Sequence, residues 1–265
     1  MHALRPTAVA WIVNLTAAIA TAVIVTAVTG SSASAQLPDS SPRAALRFNV
    51  GWGLQDLGDI NKGIEDDERV FHSYGIPVDW DTFGGAIELG AGADVWVTDA
   101  ISLGATVGWQ KSSVENLYSD ISGSVSDKID LKLVDVSGTL TFWAPAAQGL
   151  FVGASAGMAF GWADSQAKLR IFGDPSSDID LNGEFAGEGL SVGAFLGYQG
   201  RMGTNGLIFG MAGYRHRNLG EFDGTVCIPS GECVDAQPSN NAGQAMDFDF
   251  SGLYVRGGFG LALGR

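Results

Sequence analysis

The stretch LFVGASAGMAFGW, residues 150–162, places Leu150, Val152, Ala154, Ala156, Met158, Phe160 and Trp162 at every second position, with Gly153, Ser155, Gly157, Ala159 and Gly161 between them. A period of two is the signature of a β-strand, here with one oily face and one face of small residues. A soluble sandwich would turn the oily face to its core and line the other with Lys, Glu and Thr. The wall of a narrow barrel whose outside meets lipid accounts for both faces.

Upstream, residues 1–35 carry Arg5, a mainly apolar run from Ala8 to Val28, and Ala33-Ser34-Ala35 before Gln36. This pattern reads as a secretory signal peptide cleaved after Ala35, with an uncleaved signal anchor as the alternative. Residues 36–43 read as a short N-terminal linker and 44–265 as one barrel domain. After Gln36 no stretch approaches the roughly 20 apolar residues of a membrane helix, although 46% of the chain is hydrophobic and its mean hydropathy is +0.15. Apolar character spread in alternation suits a barrel. The net charge of −14 argues against nucleic acid as a partner, because phosphate binding needs a basic face.

Alternation of period two recurs in eight segments, at about 44–54, 83–97, 101–112, up to 143, 150 onward, 187–200, 206–218 and 248–263. Short connections alternate with long ones, as in outer-membrane barrels whose short turns face the periplasm. The predicted fold is an all-β, eight-stranded antiparallel up-and-down transmembrane barrel, with the fourth to sixth strands continuing beyond the membrane. Trp52, Trp109, Phe142, Trp143, Trp162 and Tyr198 fall where interfacial girdles belong. The leader, the eight strands and the run Ala212-Gly213-Tyr214-Arg215-His216-Arg217-Asn218-Leu219-Gly220 resemble the eight-stranded domain of the outer-membrane protein A and opacity-protein group. The resemblance implies an outer-membrane location in a Gram-negative bacterium, a monomer, and delivery by the barrel assembly machinery. One departure is that the last aromatic is Phe259, where such barrels usually end in an aromatic residue.

Following the inward phase, Glu88, Asp135 and Arg256 fall inside the lumen near mid-depth, with Arg47 and Asp94 as a lower pair on neighbouring strands. Unpaired charges are costly in a narrow lumen, so an ion-pair network is predicted. Its function would be to hold the barrel in register or, alternatively, to gate a small water path. A broad porin channel does not fit an eight-stranded lumen, which side chains normally fill.

Higher up, the oily phase changes sides. Ile129, Leu131 and Leu133 fall inward against Lys128, Asp130 and Lys132, and Leu169 and Ile171 against Asp164, Gln166, Lys168 and Arg170. Ile179, Leu181 and Phe185, and then Phe248 and Phe250, repeat the exchange. Inside the bilayer the outer face meets lipid and above it water, so the inversion marks the membrane boundary. The barrel's upper part should hold an apolar interior, joined by Trp80 and Tyr254, either self-filled or open to a small hydrophobic molecule.

The long loops carry most of the acid, notably Glu65-Asp66-Asp67-Glu68, Asp174, Asp178, Asp180, Glu221, Asp223, Glu232 and Asp235. Asp59-Ile60-Asn61-Lys62-Gly63 lacks the ligand spacing of a calcium loop. Cys227 and Cys233, six residues apart, suit a loop-closing disulfide in an oxidising compartment, and two thiols without a His pair make a poor zinc site. Lys111, Lys168, Arg170, Arg215 and Arg217 are expected outside, at an upper rim facing lipopolysaccharide phosphates. Outside the leader only His72 and His216 remain as histidines. Lipid A deacylases of similar topology pair a late-strand His with a nearby Ser, whereas His216 is followed by Arg217 and Asn218. No catalytic site, metal or cofactor is therefore predicted. The functional reading is a structural and surface-interaction barrel with a loop ligand outside. A carrier of small or hydrophobic solutes is the alternative, and a lipid A-modifying enzyme a more distant one.

Overall fold

The computed structural model describes residues 43–55, 57–144, 149–173, 178–239 and 243–263. The leader, the linker up to residue 42 and Asp174 lie outside them. Eleven strands form one antiparallel sheet: β1 (Ala44–Gly53), β2 (Ala86–Thr98), β3 (Ile101–Ser119), β4 (Gly123–Trp143), β5 (Leu150–Ile171), β6 (Ile179–Met202), β7 (Gly206–Glu221), β8 (Asp223–Cys227), β9 (Cys233–Ala236), β10 (Asp247–Asp249) and β11 (Gly252–Leu263). Strands β1 to β7 pair in sequence, β11 bonds to both β7 and β1, and the ring of eight is closed. No edge is left in the hydrocarbon layer, where an unpaired strand would leave its backbone groups without partners.

The outer wall carries Phe48, Val50, Trp52, Leu89, Leu103, Val107, Leu140, Val152, Leu196, Ile208, Val255 and Phe259, all exposed. In water such a belt would be unstable, and in lipid it is the solvated face. Registers set Trp52 against Ile87 and Trp109 against Leu89 at its upper margin, and Phe142 against Ile101 and Leu150 against Tyr198 at its lower one. Trp143 does not join this girdle. Its ring turns inward and its Nε1–H donates to Ser102 Oγ at 3.0 Å, because Phe142 already occupies the outward phase.

Two expectations about the upper part change. The third strand does not stop near residue 112: β3 runs to Ser119 and pairs with β4 along its whole length, turning at Asp120. What read as a second long loop is wall, so four strands, not three, rise above the membrane on one side. The first acidic loop is not irregular either, since it contains a helix, α1 (Gly58–Ser73). Leu57, Ile60 and Ile64 recur at helical spacing and are buried, while most of the charged residues face out. Its end is a Schellman motif: Gly75, at φ +78°, and Ile76 donate their N–H groups to His72 and Phe71 carbonyls.

β1 and β2 are short, so the ring has a low side, and residues 57–85 fill it. Asp81 and Asn116 exchange two hydrogen bonds between this segment and β3, and Asn61 and Phe83 exchange two within it. Ser112 Oγ donates to the Gly85 carbonyl at 3.0 Å. On the tall side β8 continues the course of β7 along β6 after a bulge: from Leu190 to Ala186 is four residues on β6, whereas their partners Asn218 and Asp223 are five apart. Gly220 takes φ +66° inside the bulge, a left-handed conformation that suits glycine.

Candidate functional site

The lumen is the part of the molecule where chemistry-bearing side chains converge, and among the described residues they lie in three layers. At the floor, Arg47 on β1 and Asp94 on β2 sit 2.9 Å apart and buried. Aromatic faces surround the guanidinium: Trp143, Phe151 and Phe209 have ring centroids 5.5, 5.8 and 5.4 Å from it. Trp143 packs in turn against Trp96 at 5.4 Å. Planar guanidinium stacks well on rings, and removal from water strengthens the attraction.

At mid-depth, Glu88 is the hub. One of its oxygens accepts from Arg215 Nη2 and the other from Arg256 Nε at 2.8 Å, and Arg217 Nη2 lies 3.7 Å away. The Tyr254 ring lies 4.2 Å from the Arg215 guanidinium and 4.9 Å from that of Arg256. Asp135 accepts from the hydroxyls of Ser137 at 3.1 Å and Ser191 at 2.6 Å. Arg217 Nη2 donates to Gln110 Oε1 at 2.7 Å and to the Phe250 carbonyl at 3.3 Å.

Arg215 and Arg217 therefore belong to the lumen and not to the outer rim expected of them: both are buried, and Tyr214, exposed on the same strand, takes the outward phase. The sequence reading also left Gln110 out of the lumen. The two arginines share the phase of Leu207 and Phe209, which the fold buries.

The third level is apolar. Leu57, Ile60 and Ile64 from α1 and its approach pack with Phe83, Val114, Leu131, Leu133, Ala159, Ala163, Leu219, Phe222, Phe248 and Phe250, with Trp80, Ile129, Phe185 and Met246 at the margin. Phe222 and Phe248 stack at 3.8 Å with ring planes 9° apart. Of the residues expected here, Ile171 and Ile179 are exposed at the strand tips. Leu169 and Leu181 are only half-buried, and Tyr254 lies a layer lower among the arginines.

On the outside, the remaining rim cations meet carboxylates. Lys111 Nζ lies 3.7 Å from Asp130, Lys132 donates to Asp164 at 2.6 Å, and Arg170 reaches Asp178 and Asp180 at 3.5 and 3.3 Å. Lys168 stands opposite Asp180 across the β5–β6 ladder. Cys227 and Cys233 form a disulfide at the base of the β8–β9 turn. Above the membrane, hydrogen bonds from Ser122, Tyr118 and Gly123 hold the Asp120 carboxyl down at about 2. Burial, and then the like charge of Asp67 on α1, push Asp127 up to about 6.

One arrangement that sequence spacing did not show is a hydroxyl beside His216. Ser251, in the link between β10 and β11, lies with its Oγ 2.9 Å from His216 Nδ1. That hydroxyl also accepts the Arg217 N–H at 2.9 Å and is buried. Asp249 accepts the Ser251 backbone N–H instead of orienting the imidazole. The hydroxyl is buried, and among the described residues no carboxylate is hydrogen-bonded to the imidazole, whereas a nucleophile needs an open approach and a base held by a third group. His72 Nε2 contacts the Val78 carbonyl at 2.6 Å at the end of α1.

No family model and no curated protein sequence matches the chain. Among solved structures it is similar to the attachment invasion locus protein Ail of Yersinia pestis, crystallised in complex with the heparin analogue sucrose octasulfate, at 10% identity over 83% of this chain and 98% of that one, TM-score 0.40. It is similar to the outer membrane protein OprG of Pseudomonas aeruginosa at 12% identity over 85% and 97%, TM-score 0.44. A major outer membrane protein of Thermus thermophilus gives 13% over 82% and 98%, TM-score 0.44. The likeness is one of architecture alone, and no activity passes from any of these proteins to this chain.

Proposed function

We propose that the chain is an exported, monomeric outer-membrane barrel of a Gram-negative envelope that acts as a structural and surface-interaction protein, with its loops presented outside. The observation that supports this reading is the set of three layers across the lumen: an aromatic-caged ion pair, a charged layer and an apolar layer into which part of the chain's own first loop is folded. A path for solute would have to break all three. The apolar upper interior, which would otherwise invite a hydrophobic ligand, is occupied by Ile60 and Ile64 of α1. Lys111, Lys168 and Arg170 are the cations placed to meet lipopolysaccharide phosphates, and their carboxylate neighbours give that rim alternating sign.

The test is planar-bilayer recording of the refolded full chain beside its Arg256→Ala variant. Electrical silence of the unsubstituted protein supports a sealed barrel. Steady unitary conductance, altered by the substitution, would replace this reading with a channel. Identical lipid A mass spectra from cells with and without the protein are expected. A lost acyl chain that depends on Ser251 would make it an enzyme.

A further inference from the structure

Among the described residues the charged middle layer does not balance. Arg215, Arg217 and Arg256 lie within electrostatic reach of one another and of Glu88 and Asp135, three cations against two carboxylates. The floor pair, Arg47 with Asp94, is neutral by itself, and the layer above is apolar. Arginine keeps its proton in proteins, so the surplus charge cannot be shed by titration. Leaving it uncompensated in a low-dielectric lumen is costly.

Three N–H donors in the same layer also lack an acceptor among the described residues: Arg215 Nε, Arg217 Nε and Gln110 Nε2. All three side chains are more than nine-tenths buried. Two of these donors are neighbours, since the Gln110 amide is tied to the Arg217 guanidinium through its oxygen at 2.7 Å. An acceptor beside Gln110 Nε2 and Arg217 Nε would satisfy both. A water molecule would supply the acceptor and leave the charge, whereas a small anion supplies both.

We propose that this layer binds one monovalent anion of halide size, held by Arg217 Nε–H and Gln110 Nε2–H and balanced against Arg215. The site is independent of whether the barrel conducts. It is roofed by the apolar layer and floored by the Arg47 cage, so the ion enters as the barrel closes and stabilises the folded state by mass action.

The test refolds the full chain in detergent in sodium bromide or, at equal ionic strength, sodium gluconate, whose anion is too large for the layer. Expected are a bromine anomalous peak beside Arg217 Nε and Gln110 Nε2 and a higher unfolding midpoint in bromide. Gln110→Glu places a fixed carboxylate where the amide stood, so the variant should show no peak, the same midpoint in both salts, and in gluconate a midpoint at least that of the unsubstituted chain. Arg217→Met, which removes the surplus charge, should likewise lose the salt difference. Absence of the peak in the unsubstituted protein, a peak elsewhere only, or a bromide effect that survives in Gln110→Glu would overturn the proposal. If neither variant folds, the anomalous map of the unsubstituted protein decides it.

Discussion

Phe222→Ala tests whether the upper barrel is held together by packing across the lumen. The ring is fully buried, stacks on Phe248 at 3.8 Å and rests on the backbone of the two paired strands β5 and β6. A Cβ built on Gly187 would meet it at 2.3 Å, and one on Gly161 at 2.7 Å. Truncating a buried Phe costs about 3–5 kcal/mol, rising with the cavity left behind. The lost stacking adds about 1 kcal/mol. The upper end of that range is expected here, because walls of hydrogen-bonded glycine backbone cannot collapse into the space. The lower ring of hydrogen bonds is untouched, so the damage should be confined to the upper layer and α1.

Urea titration of the detergent-refolded barrel measures the free energy, and hydrogen exchange of the amides in 60–72 reports the docking of α1. Gly187→Ala should cost about 1–3 kcal/mol alone, through overpacking, and much less in the Phe222→Ala background, a coupling of at least about 1 kcal/mol. A Phe222→Ala loss under about 1 kcal/mol with unchanged exchange in α1 would refute the reasoning.

Three further outcomes follow from the geometry. Glu88→Gln leaves the arginine cluster with Asp135 as its remaining carboxylate and should lower stability by about 3–5 kcal/mol in the same titration, as for other broken buried pairs; a change below about 1 kcal/mol would mean that Glu88 is not the hub. The Asp127 carboxyl, near 3.9 in the unfolded chain and about 6 when folded, binds more protons in the folded state between those values. Docking of α1 should therefore tighten as pH falls from 7 toward 4 and weaken as it rises through 6, an effect of about 1 kcal/mol after allowance for partial exposure. Exchange rates of α1 corrected for intrinsic pH dependence should show this trend, and Asp127→Asn should abolish it. Reduction of Cys227–Cys233 should speed exchange across 223–236, removing about 2 kcal/mol of loop-closure constraint, while the barrel midpoint stays put; a shift of the midpoint would show that the β8–β9 hairpin supports the wall.

The wall was legible in the chain because lipid imposes one chemistry on one phase. Residues 150–162 show that phase, and the diagonal pair Lys132–Asp164 marks where it ends. Arg215 and Arg217 were misplaced for a definite reason. In β7 both phases begin apolar, Ile208 and Ala212 facing lipid and Leu207 and Phe209 facing the aromatic floor, so alternation there does not tell inside from outside. Helix α1 was hidden because its apolar stripe is only Leu57, Ile60 and Ile64 set among acid, a pattern that becomes amphipathic only once a wall exists to cover it. The upper half of β3 was hidden by Ser112 and Asn116, inward polar residues that bond the backbone of the first loop and so break the oily rhythm. The Ser251–His216 contact depends on strand register, which no local spacing encodes.

The bulge between β7 and β8 acts as a frameshift in side-chain direction. Up to Leu219 the odd-numbered residues look into the barrel. Past the extra residue at Gly220 the even-numbered ones do, which brings in Phe222 and Gly224, the latter opposite Phe185. Flattening the bulge with every residue kept would turn Glu221 and Asp223 toward the apolar layer and Phe222 toward water, whereas removing the extra residue would restore plain alternation with Phe222 still inward. The bulge therefore sets phase and not length: it lets Leu219 and Phe222, an odd number of residues apart, both face the lumen.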